Sequence, residues 1–149
     1  MKKYKLTTEK KFFRGGTLYR IKALRAFGLI QKGELGGFVG AEKNLDQAGN
    51  GWVSGDAQVS GNALVCGDAR VSGNEEITIS PLNIISLSYP VTATLKYVSV
   101  GCQLFTHEQF SRLTVGKAKE YGAEDAFSQY HKPVLALIKA WMNGIVEDI

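Results

Sequence analysis

Residues 51–74 read GWVSGD AQVSGN ALVCGD ARVSGN, four six-residue units that set Val53, Val59, Val65 and Val71 at strict spacing, with Ile77 continuing the series. Two positions before each valine stands a small residue (Gly51, Ala57, Ala63, Ala69). Two positions after it stands a glycine (Gly55, Gly61, Gly67, Gly73), followed by Asp56, Asn62, Asp68 or Asn74. Side chains alternate along an extended chain, so Ala57 and Val59 share one face and Gln58 takes the other, outward one. Glycine followed by Asn or Asp tolerates positive φ and suits a sharp corner. A short strand and a corner every six residues predicts a β-solenoid, rung paired on rung with apolar side chains stacked inside. A meander of hairpins with Gly-Asn and Gly-Asp turns is the alternative, disfavoured because hairpins do not repeat at six.

The repeat resembles the hexapeptide-repeat family of left-handed parallel β-helices, in which three units make one triangular coil of about 18 residues. The left hand is what the resemblance implies; spacing alone does not give it. Counting 18 residues back from Val71 reaches Val53 and then Leu35, which lies in GELGGF. The expected interior residues are therefore Leu35, Val53, Val59, Val65, Val71 and Ile77. The hexads VGAEKN and LDQAGN are degenerate but keep Asn44, Gly49 and Asn50 at corner positions. The expected fold is mainly β: a short left-handed parallel β-helix over 33–80, an N-terminal β-hairpin cap over 1–32, and a C-terminal strand-plus-helix (α+β) module over 81–149.

Composition supports a change of construction near residue 75. Thirteen of the 17 glycines fall at or before Gly73, whereas Pro81, Pro90 and Pro133 all come after it. Through Lys32, ten Lys or Arg stand against Glu9 alone, a formal +9; the remainder carries eight against thirteen Asp or Glu, a formal −5. The net +4 is an average of two opposites. With 149 residues, 44% hydrophobic and 21% charged, the composition is that of an ordinary soluble globular protein. No run of about 18 apolar residues occurs and the basic N-terminus has no apolar h-region, so neither a membrane span nor a signal peptide is expected. The expected location is the cytoplasm of a bacterial host.

The N-terminal stretch predicts two short strands joined at Gly15-Gly16, with basic residues interleaved among Tyr4, Phe12, Phe13 and Tyr19. Such interleaving can bind phosphates or stack on bases. The candidate anion-binding residues are Arg14, Arg20, Lys22 and Arg25. The competing reading is a solvated face whose lysines protect a sheet edge. After Ser80 the hexad is lost. Strands are expected over 91–98 and 100–105, a helix capped by Thr106 with Gln109 three residues on, and helical spacing over 123–142 with a kink or break at Pro133.

A second resemblance rests on YPVTATLKYVSVGCQLFTHEQF, residues 89–110, which looks like the C-terminal module of small phage and prophage proteins. The opening residues 3–53 likewise resemble phage-encoded hexapeptide-repeat proteins of uncharacterised role. What this implies is a non-enzymatic phage or prophage accessory protein that binds a host component, as an anti-defence inhibitor or sponge. The resemblance to the hexapeptide-repeat family, whose members pack solenoid faces around a threefold axis, implies a homo-oligomer, a trimer above all. Binding of nucleic acid or an anionic nucleotide through the basic hairpin is the second reading.

Characterised enzymes of the hexapeptide family are mostly acyltransferases with a histidine general base. Neither His107 nor His131 lies in the repeat, so no residue matches it and a hexapeptide-type acyltransferase stands only as a third reading; two histidines cannot supply a three-histidine zinc site. No cofactor, metal or catalytic residue is expected. Cys66 replaces the serine of its sister repeats and reads as a tolerated corner residue. Cys102 reads as a small buried hydrophobe rather than a nucleophile.

Overall fold

The computed structural model describes residues 1–13, 15–84, 89–101 and 103–147. Two compact units divide the chain, Met1–Asn83 and Ile84–Ile149. The hairpin and the hexads fall in the first of these.

In the first unit, β1 (Tyr4–Phe13) and β2 (Gly16–Ala23) form an antiparallel hairpin, and β3 (Leu35–Val39) pairs antiparallel with β2. The hexads supply two-residue strands: β4 (Trp52–Val53), β5 (Gln58–Val59), β6 (Arg70–Val71) and β7 (Glu76–Ile77). β5 lies parallel on β3 and β7 parallel on β5, giving a five-stranded mixed sheet of order β1-β2-β3-β5-β7, while β4 and β6 form a separate parallel pair.

The expected left-handed β-helix with a hairpin cap is corrected by this arrangement. Among the described residues the strands sort into a mixed sheet, a two-stranded pair and an antiparallel sheet, and form no solenoid or closed barrel. The physical reason lies in strand length and pairing. The hairpin strands run to ten and eight residues against two for each hexad, and β2 takes β3 into antiparallel pairing. The hairpin is part of the sheet, not a lid on a coil.

The six-residue spacing acts in the core and at the corners. Val53 opposes Val71 and Val59 opposes Ile77, each 18 residues on, with Trp52 N–H donating to the Ala69 carbonyl (3.0 Å) and Gln58 N–H to that of Glu75 (2.8 Å). Val53, Val59, Val65, Val71 and Ile77 are all buried, with Ala57, Ala63 and Ala69 between them. Gly55, Gly61, Gly67 and Gly73 turn the corners at φ of 60 to 73°, a region an L side chain rarely enters. Leu35, however, is 55% exposed. The step from β3 to β5 is 20 residues, because Val39 opposes Val59, and Leu45 likewise bridges Val65. Val39 therefore fills the interior slot that a count of 18 assigns elsewhere. Gln58, expected to face solvent, is also buried, in a row that runs Arg20, Phe38, Gln58, Glu76 across four strands.

The second unit holds β9 (Val91–Ala93), β10 (Tyr97–Val100) and β11 (Gln103–Thr106), all antiparallel. Their order is β11-β10-β9, and β8 (Leu82–Ile84) lies where the chain passes from one unit to the other. The single strand expected over 91–98 is broken at Thr94, whose Oγ1 accepts from the Tyr97 N–H (3.0 Å) and makes a turn. Helices α1 (His107–Ser111), α2 (Val115–Glu120) and α3 (Glu124–Glu147) follow. Thr106 caps α1: its Oγ1 accepts from Gln109 N–H (3.1 Å), and Gln109 Oε1 accepts from Thr106 N–H (2.9 Å). Pro133 lies inside α3, which continues through it.

Candidate functional sites

Of the residues expected to hold an anion, Arg20 is engaged by other partners. The Arg20 guanidinium lies on the Phe38 ring, 4.4 Å from its centroid. Its Nη1 donates to the Gly36 carbonyl (2.6 Å), its Nη2 pairs with Asp56 (3.2 Å), and its Nε pairs with Glu9. Burial alone would push its pKa down, but the hydrogen bonds to Glu9 and Asp56 outweigh it and the net shift is upward. Arg25 sits 5.7 Å from the Phe27 ring, and half-buried Lys22 faces Lys5 across the hairpin. Arg14 lies outside the described residues, as does Cys102. Glu9, the one acid of the hairpin, and Asp56, a corner residue of the first hexad, are the partners sequence reasoning passed over.

A second basic residue is consumed inside the fold. Lys3 is fully buried, and its Nζ donates to the carbonyls of Gly51 (2.9 Å), Ala48 (3.3 Å) and Gly49 (3.4 Å), 5.0 Å from the Phe27 ring. Burial lowers its pKa to about 8, with Arg25 adding to the shift and Asp46 and Asp68 opposing it. Next to it, the Tyr4 hydroxyl donates to the Leu45 carbonyl (2.5 Å), with that of Glu42 at 2.8 Å. Gln47 accepts from the backbone N–H groups of Lys3 (2.7 Å) and Tyr4 (3.2 Å) and donates to the Tyr4 carbonyl (3.2 Å). These bonds tie the start of β1 to the loop 42–51 and commit the Lys3 ammonium to backbone carbonyls.

The second unit contains a cleft of about 350 Å³. Its walls come from β10, β11 and all three helices, and they include six rings: Tyr89, Phe105, Phe110, Tyr121, Phe127 and Tyr130. His131 and Phe127, four apart on α3 and so on one helix face, stack with centroids 4.4 Å apart at 24°. His131 Nε2 lies 2.8 Å from the Phe110 carbonyl, a contact that requires the proton on Nε2. Phe105 packs against Phe110 (6.4 Å) and edge-on to Tyr121 (6.3 Å). Glu120, the one carboxylate in the lining, pairs with Lys117 (2.9 Å), whose Nζ stands 5.7 Å from the Tyr121 ring.

Chemically the cleft is a place to stack flat, uncharged surface, with the polar groups Gln103, His131 and Glu120 to orient it. Among the described residues no side-chain hydroxyl or thiol hydrogen-bonds either histidine; His107 Nε2 lies 2.7 Å from the Thr94 carbonyl and holds α1 to the β9–β10 turn. Among them, too, no three His, Cys, Asp or Glu come close enough to hold a metal ion. No helix among the described residues is long and apolar enough to cross a membrane. Cys66 is a free thiol beside a corner. The cleft was not legible in the sequence, because its rings are dispersed from Tyr89 to Tyr130. The one local signal is the Phe127/His131 pair, which reads equally as helix packing.

Compared with known proteins, the chain matches no protein-family model and no curated protein.

Proposed function

We propose that the chain is a non-enzymatic binding protein whose ligand site is the aromatic cleft of its C-terminal unit. The ligand is a small, flat, largely apolar molecule. The observation that carries this reading is the concentration of six aromatic rings around about 350 Å³ of open space, with the His131 ring stacked on one of them. That volume falls within the range of small-molecule sites. A site with one carboxylate and no arginine or lysine in its lining favours neutral ligands over anions.

The biological setting is proposed from the sequence resemblance: a phage or prophage accessory protein that captures a host-made molecule. Self-association is proposed on the same ground. Arg20 has no part in this reading, since its charge is matched within the chain by Glu9 and Asp56.

The test is to incubate the purified protein with a bacterial small-molecule extract, remove unbound material, denature, and identify what is released by mass spectrometry. Ala126→Trp, which fills the cleft without removing a ring, is the control. A molecule retained by the parent and lost by the variant supports the reading; equal retention, or none by either, refutes it.

A further inference from the structure

The far end of the β1–β2 hairpin is built differently from the rest of the sheet. From Thr8 to Phe12 every β1 side chain is exposed, on both faces of the strand, and Phe12 reaches 81%. β2 pairs with β3 from Tyr19 onward, so Lys11–Phe13 and Gly16–Leu18 pair with each other beyond the paired part of the third strand. The register Lys10↔Tyr19 and Phe12↔Thr17, with strand alternation, puts Lys10, Phe12, Thr17 and Tyr19 on one face. Phe12 and Tyr19 are diagonal neighbours there, with Lys10 beside them. Lys10 makes no ion pair among the described residues, and Lys11 on the opposite face stands 5.7 Å from the Phe38 ring. The surrounding segment, residues 1–32, carries a formal +9.

We propose that this end of the hairpin binds single-stranded nucleic acid, with unstacked bases on Phe12 and Tyr19 and phosphates on Lys10 and Lys11. Exposed lysines alone would be explained by protection of a sheet edge. That explanation does not reach Phe12, because an edge guarded against association does not present a large apolar ring. It is also less needed, since Gln47 already covers the start of the same edge at Tyr4. A double helix or an acidic peptide would use the lysines and leave the rings idle. Single strands use both, since every base has a face to stack and every step a phosphate to neutralise. The site is independent of the cleft and lies in the other unit.

Fluorescence anisotropy of a labelled 20-nucleotide oligothymidylate with the full chain tests this, at 50 and 200 mM salt. Binding is expected at low salt. Phe12→Ala is expected to weaken it by about five-fold or more, the loss of one stacked base. The double variant Lys10→Glu/Lys11→Glu is expected to weaken it further and to flatten the log–log salt slope by about 1.4, two contacts at roughly 0.7 each. All three side chains are exposed, so the variants should melt with the parent, and circular dichroism checks that they do. No binding at 50 mM salt would overturn the proposal. So would unchanged affinity in the Phe12→Ala variant, or equal affinity for a duplex or a polyglutamate peptide.

Discussion

Replacing Lys3 by Met should remove a pH dependence of stability that the wild-type chain shows between pH 8 and pH 10. Burial holds the folded pKa at about 8, against 10.5 when the side chain is free. Between those values the unfolded chain binds a proton that the folded chain does not, so stability rises with pH through the window and is lowest below pH 8. At about 1.4 kcal/mol per pKa unit the full penalty is about 3 kcal/mol, of which about 2 kcal/mol is relieved between pH 8 and pH 10. The window closes there because burial, then Glu42 and Asp46, push the Tyr4 hydroxyl above its ordinary range. Above pH 10 the unfolded chain loses a proton that folded Tyr4 retains, and stability falls.

Lys3→Met keeps the stem against Phe27 but has nothing to titrate and no donor for the Gly51 carbonyl. At pH 10, where the burial penalty is mostly gone, it should be less stable than wild type by about 1–3 kcal/mol. Urea unfolding would be followed by fluorescence of Trp52, which lies in the same core, in a Trp141→Phe background that silences the second unit. A wild-type midpoint that does not rise from pH 8 to pH 10, or a Lys3→Met chain that rises equally, would refute the reasoning.

Three further outcomes are expected from unfolding and melting measurements. Gly37→Ala would put a Cβ 2.5 Å from the Ala57 carbonyl oxygen and 2.8 Å from Val53 Cγ1, so it should cost about 1–3 kcal/mol or more although its backbone needs no glycine conformation. Gln58→Asp, silent if the side chain faced solvent, should cost at least about 1 kcal/mol, because the site is buried and lies opposite Glu76. Thr106→Ala should cost about 1 kcal/mol through loss of the α1 cap, seen as earlier melting of the C-terminal unit.

What could be read from the sequence was what repeats or sits next to itself in the chain. The hexad marks the buried valines and the glycine corners, because both follow from two-residue alternation and local φ. The Thr106 cap is equally local. Three things depended on pairing at a distance and were misread. The 20-residue step from Val39 to Val59 displaced Leu35 from the interior, antiparallel pairing of β2 with β3 turned a cap into sheet, and the Arg20 row buried Gln58. The anion candidates were chosen by charge, yet Arg20 is matched by Asp56, 36 residues away. The cleft depends on four segments meeting and left almost no trace in local spacing.

The most direct measurement of the central claim is an aromatic ¹H–¹³C NMR titration of the full chain with a set of flat, neutral aromatic fragments. Shifts should concentrate on Phe105, Phe127 and His131 in the parent chain and vanish in the Ala126→Trp variant, while the signals of Phe12 and Trp52 stay still. Shifts that spread over the first unit, or that persist unchanged in the filled cleft, would contradict the account.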